Sequence, residues 1–152
     1  MGEYIGLAAS HGRNMEVKLA DPVVANIRHE WHWVKPAIEE ILSADSNLTF
    51  LPEDVYAYCK AEAALLWVTD DGFVVTTTET DEFTGDKTFL VWLAWAKSRG
   101  ANLAVLHYEF FAKRAKEVGF AHIEVRSSVP ALQKYLPENG WQVATVVYTR
   151  DL

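Results

Sequence analysis

The 152-residue chain carries a formal net charge of −7, is half hydrophobic and holds six tryptophans. That composition excludes a disordered tail, and the length suits one domain that buries roughly 68–70% of its unfolded surface. The negative field disfavours a phosphate backbone, so nucleic acid is excluded as a partner. Cys59 is the sole cysteine, so no intrachain disulfide is possible.

No apolar run reaches the ~20 residues of a membrane-spanning helix. The N-terminus lacks the charged-then-apolar order of a signal peptide. A cytoplasmic protein without a membrane partner is expected. Residues 1–14 hold three glycines and no period, and read as a leader or cloning remnant. Met15 is then the natural start, and 15–152 a single domain.

Residues 16–19 alternate and suggest an edge strand. Asp21-Pro22 looks like a helix start, with Asp as N-cap and Pro in the first turn. A helical pattern runs from 23 toward 42, with a kink or break expected near Lys35 because Pro36 lies inside it. Residues 51–62 form a second helical pattern, with Pro52, Glu53 and Asp54 at its start. Residues 64–69, 73–79 and 88–95 read as strands. Asp70-Asp71-Gly72 and the 84–87 stretch predict tight turns between them, Gly72 supplying a positive φ. The third strand is nearly all apolar and predicts a central position.

A polar loop, 97–102, precedes a long amphipathic helix at 103–118. Its predicted buried face is Ala104, Tyr108, Phe111, Ala115 and Val118. Gly119 ends it. A strand at 122–126, a short helix at 130–135 and a last strand at 141–148 complete the chain. The expected class is α/β (α+β), a mixed central sheet with an antiparallel meander and helices on both faces.

The loop reads Lys97-Ser98-Arg99-Gly100-Ala101-Asn102, and the later segment reads Ser128-Val129-Pro130-Ala131-Leu132-Gln133-Lys134-Tyr135, followed by Gly140-Trp141. With the element order from Glu16 onward, these stretches resemble the GNAT N-acetyltransferases. That family carries a Gln/Arg-x-x-Gly-x-Gly/Ala loop for the pyrophosphate of acetyl-CoA, and often Asn-x-x-Ala-x-x-x-Tyr before a Gly-Phe pair. Gly100 matches the first loop glycine; Lys97 and Asn102 depart from the pattern. A second register puts Arg99 first, with Asn102 and Ala104 at the small positions.

The resemblance implies an acetyl-CoA-dependent N-acetyltransferase acting on a small-molecule or peptide amine. It implies cofactor contacts from Trp95, Lys97, Arg99, Gly100, Ala101, Asn102 and Ser128. It makes Tyr135 the acid that protonates the departing thiolate. Family members often hold a Glu base on the strand before the loop, but 88–95 carries no acid. Glu79 and Glu124, on the flanking strands, are the candidate bases, with Asp81, Glu82 and His122 nearby. Short GNAT-like proteins also occur among tailed phages, some associated with virion assembly. A fold without catalysis, acting in binding or phage-type assembly, is the alternative function.

Other groups read as structural. His29 and His32 share a helix face, but a third metal ligand is not evident, so no metal is expected. Cys59 reads as a buried thiol, and Trp31, Trp33, Trp92 and Trp95 as core. His107 lies where it can reach a ligand at the loop or sit half-buried in the helix. A homodimer is left open.

Overall fold

The computed structural model describes residues 19–98 and 100–152. The leader at 1–14, Met15, most of the 16–19 strand and Arg99 lie outside the described residues.

The chain enters as a strand, β1 (Val23–Ala25), where a helix is expected. Val23 and Val24 are β-branched and fit a pleated surface. They pair antiparallel with the second strand, Val23 opposite Val68. The helix cap is Asn26, not Asp21: its side chain accepts the Arg28 N–H at 3.0 Å. Helix α1 (Ile27–Ala44) then runs through Pro36 as one element, and no break occurs at Lys35. A mid-helix proline costs about 3 kcal/mol. Val34 and Ile38, on either side of it, are fully buried, and each contributes about 1.5–3 kcal/mol. Burial wins.

Helix α2 (Pro52–Lys60) begins as expected, with Pro52 first and the Asp54 carboxylate accepting the Leu51 N–H at 2.8 Å. Strands β2 (Ala64–Thr69), β3 (Gly72–Thr80) and β4 (Lys87–Ala96) form the meander. Neither Asp70 nor Asp71 adopts a positive φ. Gly72 has the expected positive φ, 159°, and a Cβ there would also lie 2.0 Å from the Trp95 carbonyl oxygen of β4. In the β3–β4 turn, Asp81 Oδ1 accepts the N–H groups of Phe83 at 2.8 Å and Thr84 at 3.0 Å. These backbone bonds, Thr84 first, hold its carboxyl below the usual range.

The sheet order is β1-β2-β3-β4-β5, with β5 (His122–Val125) parallel to β4. The β3–β4 register steps from Val75 opposite Leu93 to Thr76 opposite Val91. Trp92 is therefore the extra residue of a β-bulge, which bends the strand. Phe89 and Val91 pack on one face of the sheet, while Trp92, Leu93 and Trp95 all pack on the other. Side chains 92 and 93 share a face only because the bulge breaks the two-residue period.

Helices α1 and α2 cover the Trp92 face. Helices α3 (Leu103–Leu106) and α4 (Tyr108–Glu117) cover the opposite one. The single long helix expected here is interrupted at His107. The interruption changes the helical phase: Ala104, Phe111 and Ala115 are buried as predicted, but Tyr108 and Val118 are exposed. Helix α5 (Pro130–Glu138) ends three residues later than expected and packs Leu132 on Val105. The last expected strand does not form; residues 141–148 have no regular structure.

Gly72→Ala is expected to destabilise the protein by roughly 2–4 kcal/mol, because the new methyl meets backbone that cannot move alone. Urea unfolding checks this. A midpoint equal to wild type means that the β3–β4 approach is not a tight constraint.

Candidate active site

The parallel pairing of β4 with β5 runs from Thr88 opposite His122 to Val91 opposite Val125, and stops at the bulge. Beyond it, β4 continues from Trp92 to Ala96 while the chain after β5 turns away into α5. Strand β4 thus runs five residues past the end of β5, toward the 97–102 loop. Unpaired backbone N–H and C=O groups along such an edge need water or a ligand. From Trp92 to Lys97 is five residues, roughly 17 Å of extended chain.

Past the end of β4, the loop is tied to the β2–β3 turn. The Lys97 N–H donates to the Asp71 carbonyl at 2.7 Å, and the Ser98 N–H to the Asp71 carboxylate at 3.4 Å. The Ala101 N–H closes a turn on the Ser98 carbonyl at 3.3 Å. Gly100 has φ 84°, the left-handed region that favours glycine. Asn102 caps α3: its Oδ1 accepts the N–H groups of Ala104 at 3.1 Å and Val105 at 3.2 Å. Those are the donors that a helix start would otherwise offer an anion. Five amides of this stretch thus have acceptors within the protein, and they do not converge on one point.

Tyr135 is half-buried and joins Ala101, Leu106 and Leu136 around the Val105–Leu132 contact. The structure thus brings Tyr135 and the loop together. Ser128 donates to the Asp45 carboxylate at 3.4 Å, linking the start of α5 to the end of α1. Trp95 turns toward the helices: it stacks on Phe73 with ring centroids 6.1 Å apart, and its Nε1–H donates to Glu40 at 3.3 Å.

Glu79 and Glu124 flank β4, Glu79 opposite Thr88 and Glu124 opposite Leu90. Arg126 joins them, donating to Glu79 at 2.8 Å and to Glu124 at 2.6 Å. Burial works against the Arg126 charge, but the two hydrogen-bonded carboxylates outweigh it and move its pKa up. Sequence reading gave Arg126 no role. Its signal was the spacing: Glu124 and Arg126 are two apart on one strand and share a face. The Trp92 ring lies 5.2 Å from Phe50 and 5.3 Å from Tyr58, also on the α1–α2 side. The two glutamates form one group with Arg126, and Tyr135 with the loop residue Ala101 belongs to another.

Cys59 is half-buried, and desolvation pushes its thiol up to about 11. It is no thiolate nucleophile near neutrality. His29 and His32 are exposed on α1, and no third metal-ligating side chain joins them among the described residues. A concavity of about 410 Å³, lined by Trp67, Thr76, Phe89 and Arg114, opens on the α4 face, away from this site. No described helix is long and apolar enough to cross a membrane.

No protein-family model and no curated protein matches the sequence. Solved structures do match in shape. A ribosomal-protein-alanine N-acetyltransferase from Brucella melitensis biovar Abortus 2308 superposes with a TM-score of 0.64 at 17% identity, covering 87% of this chain and 98% of that one. Glucosamine-6-phosphate N-acetyltransferase from Arabidopsis thaliana gives 0.62 at 11% identity, covering 86% and 97%. An acetyltransferase from Trypanosoma brucei gives 0.57 at 10% identity, covering 87% and 99%. The fold expected from the sequence is the fold observed.

His107, buried at the α3–α4 junction, has its pKa lowered by desolvation against the pull of Asp21 and Asp70. The sign follows from linkage. The unfolded chain takes up a proton as pH falls through about 6.5, whereas the folded chain resists until a lower pH. Stability is complete above that value and declines below it. His107→Gln is expected to flatten the fall in stability between pH 7 and 5, measured by urea midpoints. An unchanged slope would assign the pH dependence to other groups.

Proposed function

We propose that this chain, a divergent protein of GNAT fold, is an acetyl-CoA-dependent N-acetyltransferase acting on an amine. The observation that carries this reading is that β4 runs on from Trp92 past the end of its pairing with β5. It leaves an open backbone edge about 17 Å long, suited to the amide-bearing pantetheine arm of the substrate. The pyrophosphate would lie toward 97–102, where Gly100 and the α3 start provide the setting and Lys97 a positive charge. The thioester would lie near Trp92, where the pairing with β5 ends. The amine would enter from the α1–α2 side, near Phe50 and Tyr58.

In this reading the amine nitrogen attacks the thioester carbonyl and the C–S bond breaks. Glu79 or Glu124 takes the amine proton, directly or through water, with Arg126 holding both carboxylates in place. Tyr135 supplies the proton that the thiolate needs. The net charge of −7 favours a basic acceptor, a small amine or a basic peptide, in the cytoplasm.

A second reading keeps the fold without the chemistry, as a binding or phage-type assembly protein. Two observations favour it. Asn102 already occupies the helix-start amides, and both candidate bases already hold Arg126.

Calorimetry separates the two. The enzyme reading expects acetyl-CoA to bind between about 1 µM and 1 mM, and an amine panel to release free CoA thiol. Absence of binding at about 1 mM ends it in favour of the second reading. If turnover is found, Tyr135→Phe is expected to lower kcat by about 10²–10⁴ with little change in KM. Asn102→Gly probes the loop. As a cap, Gly costs only a few tenths of a kcal/mol, and it frees two amides. Acetyl-CoA affinity is expected to rise several-fold; an unchanged affinity places the pyrophosphate elsewhere.

A further inference from the structure

The concavity at the C-terminal end of α4 measures about 410 Å³, within the roughly 300–1,000 Å³ of small-ligand sites. It opens on the sheet face opposite Trp92 and Phe50. Its floor is aromatic: Trp67 and Phe89 are buried, and Phe120 meets Phe89 edge-on at 5.5 Å.

Three polar groups around it lack the partners that folding normally supplies. Thr76, in the floor, is 2% exposed, and its hydroxyl oxygen accepts the Trp67 indole N–H at 2.9 Å. Its own O–H has no acceptor among the described residues. A buried hydroxyl proton needs water or a ligand to accept it. Arg114, in the wall, lies 5.9 Å from the Trp67 ring and 6.0 Å from the Phe110 ring, which hold its guanidinium in place. It forms no ion pair with any described carboxylate. Glu62, on the rim, closes α2 with φ 61°. Its N–H donates to the Cys59 carbonyl at 3.2 Å, and the Ala63 N–H to the Tyr58 carbonyl at 2.9 Å. Glycine is the usual residue at such a helix end, and a glutamate there carries backbone strain that glycine avoids. The Glu62 carboxylate is likewise without an ion pair among the described residues.

We propose that this concavity binds a free α-amino acid with an aromatic side chain. The three groups decide the class between them. A neutral apolar ligand leaves Arg114 and the Thr76 O–H unmatched. A simple carboxylate satisfies those donors but meets Glu62 and Glu117 on the same rim. A zwitterion matches all of them. Its carboxylate takes Arg114 and the Thr76 O–H as charge-assisted hydrogen bonds, and its ammonium takes Glu62. The aromatic side chain packs on Trp67, Phe89 and Phe120. The inference does not depend on acetyl transfer.

The test titrates L-phenylalanine into the ¹⁵N-labelled full chain, without acetyl-CoA, and follows the indole N–H signals. Spectra of Trp67→Phe and Trp92→Phe identify the two signals that report opposite faces of the sheet. The Trp67 signal is expected to shift, with a dissociation constant of about 1 mM or tighter. 3-Phenylpropionate, which lacks the ammonium, and phenethylamine, which lacks the carboxylate, are each expected to bind at least ~10-fold more weakly. Arg114→Gln and Glu62→Gly are expected to weaken L-phenylalanine by the same factor. Glu62→Gly relieves the strained backbone, so its fold is retained. No shift at about 10 mM ligand overturns the proposal, as does movement of the Trp92 signal in place of Trp67. Equal binding of either analogue, or unchanged affinity in either variant, overturns it as well.

Discussion

One extra residue, Trp92, organises this molecule. Without the bulge, β4 would keep its two-residue alternation, and Leu93 would point toward α4 instead of the α1–α2 core. With it, the strand bends, two adjacent side chains share a face, and pairing with β5 ends at Val91. A sheet that gives up ladder hydrogen bonds needs compensation. Here the side chains provide it: Trp92, Leu93 and Trp95 all join the α1–α2 core, and each large buried side chain contributes about 1.5–3 kcal/mol. A net hydrogen bond contributes about 1 kcal/mol. Packing therefore supports the bulge.

The start of α3 shows a competition between two uses of the same atoms. Helix-start amides are satisfied by a side-chain cap or by a bound anion. A glycine at the cap position leaves the choice to the ligand, while an asparagine makes it locally and permanently available. Asn102 makes it locally. The resulting cap contributes about 1 kcal/mol to stability, a modest barrier for a doubly charged pyrophosphate to displace. Asn102 therefore takes up the amides that a helix start would otherwise leave to a ligand.

The meander was legible because turn chemistry marks it: Asp70-Asp71-Gly72 and Gly85 punctuate β-branched runs. The second reason for Gly72 was not legible, since it lies in a contact with Trp95, 23 positions away. The start of α1 was misplaced because Asp21-Pro22 has the local signature of a helix start, whereas strand pairing with Val68 decides the outcome. The bulge left no trace, because Leu90-Val91-Trp92-Leu93 is apolar throughout and shows no alternation to break. The interruption at His107 was equally silent. At the site, Asn102, Tyr135 and the two glutamates were singled out by residue type. Their division into two groups, and Arg126 between the acids, needed the sheet register.

Arg126 also bears on what the acids can do. A guanidinium that holds two carboxylates fixes their positions, and fixed donors and acceptors cost no reorganisation during a reaction. The same pairing occupies the lone pairs that an amine proton would need. Each carboxylate offers about four acceptor directions, and Arg126 contacts one oxygen of each. Glu79 is half-exposed and Glu124 about one-third exposed, so water reaches the remaining directions. A proton relay through that water is compatible with an intact ion triad, whereas direct abstraction requires the amine to approach the oxygen that Arg126 does not hold. The triad thus leaves part of each carboxylate open to water.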